Sequence, residues 1–177
     1  SLLDRERPEG FAGGVLLMGS LGVMVDTRDQ EPTPSNGIWS EVSLRGGHTH
    51  FGSRWDIAGV NLTHRQWLPL DLAQRWVLAY RLGFDAHSEA MPFFQQHIMG
   101  GSQWVDLGGN VALRGLPNGR YRGSQALYGS VETRWTVGRV RLSETQLDFM
   151  VVPFVDIARV WSTAESDPIW QVHGSAG

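Results

Sequence analysis

Three groups of residues in this sequence have types and spacing that could do chemistry. The first is arginine-rich: the stretch 113–134 carries Arg114, Arg120, Arg122 and Arg134 among the turn-forming Gly115, Pro117, Asn118, Gly119 and Gly123. A guanidinium presents five donors in a fixed fork that matches a carboxylate in a confined place. A glycine-rich segment with that chemistry reads as a loop built to dock. The second group, His48 and His50 around Thr49, has the spacing of a metal chelate, but no third ligand stands nearby and a glycine turn surrounds it. The third, Asp26 and Asp29, pairs two acids, but in a proline-rich run where acids form turns. No Ser/His/Asp order with a nucleophile elbow and no phosphate-binding glycine loop is present. The sequence therefore assigns no catalytic residue, metal site or cofactor, and the expectation is a protein that is not an enzyme.

The elements that must position the arginine loop alternate. From Ser124 to Val137, Leu127, Val131, Trp135 and Val137 fall on one face, and Ser124, Ser130, Glu132 and Arg134 on the other. From Trp76 to His87 the even positions are Trp76, Leu78, Tyr80, Leu82, Phe84 and Ala86, while Arg81 and Asp85 lie on the odd face. Residues 38–46 and 54–67 repeat the pattern, with Trp39, Glu41, Ser43 and Arg45, then Asn61, Thr63 and Arg65, opposite the apolar set. Residues 13–28 read as a glycine-containing strand, with a weaker helical alternative at 15–25, and residues 147–161 as a strand holding Asp148 and Asp156. A seventh begins near Ile169.

Strands of this length exceed the five to six residues usual in soluble sheets and suit tilted membrane-crossing strands. Aromatic residues at both ends of the apolar face match interfacial girdles. A dry core would not hold Arg81, Asp85, Glu132, Arg134 and Asp156 on strands. The fold expected is all-β, an antiparallel up-and-down transmembrane β-barrel. Residues 1–12 are an irregular lead-in, 13–177 the barrel portion, and 88–123 its long loop, with a Met/Phe patch at Met91, Phe93, Phe94, Ile98 and Met99 read as the loop packing on itself. The turns at 29–36, 68–74 and 138–146 are expected at the periplasmic end and the long loop at the other.

Composition narrows the partners. The 177 residues carry a formal charge of -3 with a pI near 6.0, which gives no basic footprint for nucleic acid. All 15 basic residues are arginine, a trait of base composition more than of physics. Cysteine is absent, so neither a disulfide framework nor a thiolate metal site exists.

The succession DTRDQEPTPSNG, a Gly-Gly segment, LRGLPNGRYRG, YGSVETRW and FVDIARVW resembles the barrel of the BamA/TamA family of outer-membrane assembly proteins, the bacterial surface-antigen family. The resemblance spans nearly the whole chain, and its most specific part is the arginine-glycine loop followed by the Glu-x-Arg and Asp-containing strands. It implies a 16-stranded barrel in the bacterial outer membrane, a role in inserting or translocating outer-membrane proteins, and contact with membrane lipid, unfolded outer-membrane protein substrates or periplasmic accessory proteins. The six to seven strands read here are fewer than the eight a barrel needs, so the chain is expected to be a fragment of a larger barrel. A passive pore or membrane anchor, and a soluble β-barrel binding protein, are the alternatives. The resemblance, with the alternation, also gives a latch: Arg114, beside Gly115, should reach inward to Glu132 and Asp156, with Arg81, Asp85 and Arg134 lining the lumen.

Overall fold

The computed structural model describes residues 7–88, 90–96, 98–103, 105–162 and 172–177. The strands are β1 (Gly19–Asp26), β2 (Gly37–Gly47), β3 (Ile57–Pro69), β4 (Trp76–His87), β5 (Ile98–Met99), β6 (Val105–Asp106), β7 (Gln125–Leu142), β8 (Thr145–Val151), β9 (Phe154–Trp161) and β10 (Val172–Ala176). A 3-10 turn, Thr49–Phe51, interrupts the β2–β3 connection. All pairings are antiparallel, and the main sheet runs β1-β2-β3-β4-β7-β9-β10, with β8 beside β7. Apart from β5 and β6, which pair only with each other within the long β4–β7 connection, the strands follow one another around the sheet in chain order, as in an up-and-down meander. The sheet is open, with β1 and β10 at its edges among the described residues. This is the expected all-β barrel portion.

Several boundaries differ from the alternation. The first strand starts at Gly19, not at residue 13, because Gly13 (φ 71°) and Gly14 (φ 153°) bend the chain, and Leu16 and Met18 then pack on Trp55, Ile57 and Met91. The turn expected at 138–146 shrinks to Ser143 and Glu144. β7 runs on to Leu142 through a register shift between Thr136 and Gly138, and Ser143 adopts φ 55° to close a two-residue hairpin. The strand expected over 147–161 is split. Pro153 cannot donate to the ladder, so β8 pairs with Trp135–Leu142 of β7 and β9 with Gln125–Glu132. Together β8 and β9 fill one strand position. The beginning expected near Ile169 lies outside the described residues.

The two faces of the sheet differ as alternation demands. Leu82, Leu127, Val131, Val155 and Ile157 project from the outer face and are exposed, while Asn61, Asp85 and Asp156 on the inner face are buried. An apolar surface turned outward over polar groups turned inward inverts a soluble sandwich. What buries the inner face is the chain between β4 and β7. Its residues Met99, Val105, Leu107, Ala112 and Leu113 form one cluster with Ala126 and Tyr128 of β7 and Ala158 of β9. Of the Met/Phe patch, Met91 is wholly buried and Met99 nearly so, Phe93 and Ile98 are half-buried, and Phe94 is exposed. Successive connections fall at opposite ends of the sheet, so the turns after β1, β3 and β7 share one end and the long loop lies at the other.

Candidate functional site

The loop between β4 and β7 is held by its backbone before any charge is considered. Gly108 N–H donates to the Ala112 carbonyl (2.7 Å), Gly109 N–H to that of Leu116 (2.7 Å), and Leu116 N–H to that of Leu113 (3.2 Å). Within this compact turn Leu113 sits at φ 54°, a left-handed conformation uncommon for a bulky side chain. Such strain persists where the surroundings over-determine it. Here they do, because the Leu113 side chain is buried to 1% exposure in the cluster beneath the loop. Gly115, at φ 86°, continues the left-handed path at a position where a side chain would add strain. Its part is to turn the chain away after Arg114.

The result is that both the backbone and the side chain of Arg114 face the inner wall. Its backbone N–H and its Nε each donate to Asp156 Oδ2 at 2.9 Å, and Nη2 donates to Asp156 Oδ1 at 2.8 Å. Nη1 donates to Glu132 Oε2 at 2.7 Å, and Nη2 also reaches Ser130 Oγ at 3.0 Å. The guanidinium lies 3.7 Å from the centroid of the Phe154 ring, where the ring's negative face favours a cation. Register explains why these groups converge. Ser130 is the cross-strand partner of Asp156, and Glu132 that of Phe154, so two successive inward-facing rungs of β7 and β9 supply every contact. Ser130 Oγ donates to Asp156 Oδ1 at 2.7 Å, and Arg134 Nε donates to Glu132 Oε1 at 2.8 Å, which fixes both carboxylates independently of the loop. Arg114, Glu132 and Asp156 are thus brought together, with Arg134 as a further member.

A second set of contacts, which the alternation did not single out, anchors the other arm of the loop. Asp85 on β4 accepts from Arg45 Nη1 (2.8 Å) and Nη2 (2.6 Å) of β2, from Asn61 Nδ2 (3.0 Å) of β3, and from the backbone N–H of Gly100 (2.8 Å). Glu41 on β2 accepts from Ser102 N–H at 2.7 Å and Ser102 Oγ at 2.6 Å. Arg45 packs so closely over Gly100 that a Cβ built there would lie 1.9 Å from its Nη1. Asp85 was expected to face the lumen. That it would bind the loop could have been suspected only from Glu41 and Arg45 sharing its face and from the bare backbone at Gly100 and Gly101.

Arg81 lines a cavity on the inner face and donates to the Val111 carbonyl at 3.2 Å. Arg120 is exposed; Arg122 donates to the Gly119 carbonyl at 3.3 Å and lies 5.4 Å from the Phe93 ring. The histidines behave as turn residues. His48 caps the 3-10 turn by accepting from His50 N–H, and Asp56 accepts from Thr49 N–H at 2.7 Å, which holds its carboxyl below the ordinary range. Among the described residues no group of three His, Cys, Asp or Glu side chains could hold a metal. Asp26 pairs with Arg28 (2.6 Å), and Asp29 accepts from the backbone of Gln30 and Ser35, both as turn formers.

A model described as the Omp85 superfamily domain matches residues 16–175. No curated protein sequence matches the chain. Among solved structures, the crystal structure of BamA from Haemophilus ducreyi lacking POTRA domains 1-3 superposes with a TM-score of 0.69 at 19% identity. The likeness covers 89% of this chain and 34% of that one, so the chain spans about a third of that structure's length. At this identity the likeness is one of fold.

Proposed function

The chain belongs to the Omp85 superfamily, and from that premise we propose that it forms part of an outer-membrane β-barrel, not an enzyme, that assists the insertion or translocation of other outer-membrane proteins. The observation that carries the reading is the loop of residues 88–124, folded back onto the inner face of the sheet. A passive pore needs an open lumen. This loop instead lies against the inward-facing wall, through Arg114 on Asp156 and Glu132 at one point and Gly100 and Ser102 on Asp85 and Glu41 at another, which in a closed barrel would fill the lumen. The apolar outer face supports a lipid setting, and the membrane is the first partner it implies. Unfolded outer-membrane proteins are the substrate class the superfamily suggests, with periplasmic accessory proteins as further candidates.

The test is reconstitution of the full-length protein into liposomes, followed by addition of a urea-unfolded outer-membrane β-barrel protein. Folding is read as acquired protease resistance. Acceleration over empty liposomes supports the proposal. Ion conductance without acceleration of folding would assign the barrel to passive permeation and overturn it.

A further inference from the structure

Between the two anchoring points the inner face holds a cavity of about 280 Å³ whose polar groups the loop's anchoring leaves unbalanced. Its wall includes Arg65, Arg81, Arg114 and Arg134, and among the described residues lining it Glu132 is the single carboxylate. Glu132 is already shared between Arg114 (2.7 Å) and Arg134 (2.7 Å). Arg65 and Arg81 are left over. They are direct cross-strand partners on β3 and β4, an arrangement of like charges that costs stability. The same rung continues to Ser130 and then to Asp156, but both oxygens of that carboxylate are taken by Arg114 and Ser130.

Neither arginine forms an ion pair among the described residues, and Glu41, whose charge Arg65 feels, is bound by Ser102. Arg65 lies over the Trp39 ring at 4.6 Å, and its buried Nε has no hydrogen-bond partner. Arg81 has the Val111 carbonyl at 3.2 Å. A buried donor left unmade costs about 1 to 3 kcal/mol, and two guanidinium forks converging on one space are suited to bidentate recognition of a planar or tetrahedral oxyanion. The volume admits such a group with several waters, each occupying about 30 Å³.

We propose that Arg65 and Arg81 form an oxyanion-binding site inside the barrel, filled by the phosphate or carboxylate group of a small soluble molecule. Occupancy satisfies the cross-strand pair and stiffens the wall against which Val111 of the loop rests. The site does not depend on the protein-insertion reading, since it stands whatever the barrel does.

The experiment uses the full-length protein in detergent micelles, phenylglyoxal as arginine reagent, and peptide mapping of Arg65 and Arg81. Inorganic phosphate and glutarate are compared with chloride at matched ionic strength. At a phosphate concentration about ten times the dissociation constant, modification of Arg65 and Arg81 slows about tenfold by mass action, while Arg120 is unprotected. Protection by phosphate alone assigns a tetrahedral ligand, and protection by glutarate a carboxylate. Phosphate should raise the melting temperature of the wild type, and Arg81→Gln, which removes the repulsion, should raise it in chloride and abolish the phosphate-dependent rise. Equal modification in all three salts would overturn the proposal, whether because nothing binds or because another part of the polypeptide fills the space.

Discussion

Replacing Arg114 by alanine tests whether the loop is held where the structure places it. The substitution deletes three side-chain hydrogen bonds to carboxylates, one to Ser130, and the Phe154 stacking. Removing one partner of a buried ion pair costs about 3 to 5 kcal/mol because the other charge stays buried. Two features reduce that figure here. The Arg114 side chain retains 20% exposure, so water screens part of the attraction, and neither carboxylate is left bare. Asp156 keeps Ser130 and the backbone N–H of residue 114, and Glu132 keeps Arg134. A cost of about 2 to 3 kcal/mol follows, equivalent to a loss of about 30- to 150-fold in the ratio of docked to undocked loop. Hydrogen exchange of residues 107–116 in detergent-solubilised full-length protein measures this ratio directly, as faster exchange by that factor. Arg122→Ala should change it little, since its contacts are one carbonyl at 3.3 Å and a distant ring. Arg120→Ala should behave likewise, while Arg114→Lys, which keeps the charge but loses the fork, should fall between. Unchanged exchange in Arg114→Ala, or equal effects of all three alanine substitutions, would refute the reasoning.

Other perturbations separate the parts of the inner wall. Gly100→Ala places a Cβ within 1.9 Å of Arg45 Nη1 and should displace Arg45 from Asp85; exchange at residues 98–102 should quicken about tenfold, a loss of about 1.4 kcal/mol, with residues 108–116 unaffected, and simultaneous release of both segments would mean the two anchors act as one. Leu113→Ala keeps the left-handed backbone but empties a fully buried position, so it should destabilise the docked loop by about 2 to 5 kcal/mol in the same assay, and a neutral effect would remove Leu113 as the anchor that tolerates the strain. Spin labels at Leu82 and Leu127 in lipid bilayers should report oxygen-accessible hydrocarbon and labels at Thr63 and Ser130 should not; the reverse pattern would invert the register of the sheet.

The sequence by itself determined which residues share a face. Side-chain direction in a strand has period two, so the alternation of Leu78, Leu82 and Phe84 against Arg81 and Asp85 needs no knowledge of neighbours. The turn chemistry of 29–36 and 68–74 was legible for the same local reason, as was the glycine-rich character of the arginine loop. Boundaries were less legible where pairing partners decide them. Whether β7 stops at Val137 or continues to Leu142 depends on β8 lying beside it, and Pro153 splits a strand position only because β7 is there to be left unpaired. The meeting of Arg114 with Glu132 and Asp156 came from family resemblance together with alternation; the structure adds the register, Ser130 opposite Asp156 and Phe154 opposite Glu132, that puts these groups on successive inward-facing rungs. Tertiary structure alone decided the second anchor. Arg45, Asn61 and Asp85 lie on three different strands and meet Gly100 from a fourth segment, and no local periodicity encodes a contact across 40 residues of chain such as Arg45 to Asp85. It alone also set Arg65 opposite Arg81, because cross-strand register is fixed by the pairing of β3 with β4 and not by either strand's own pattern.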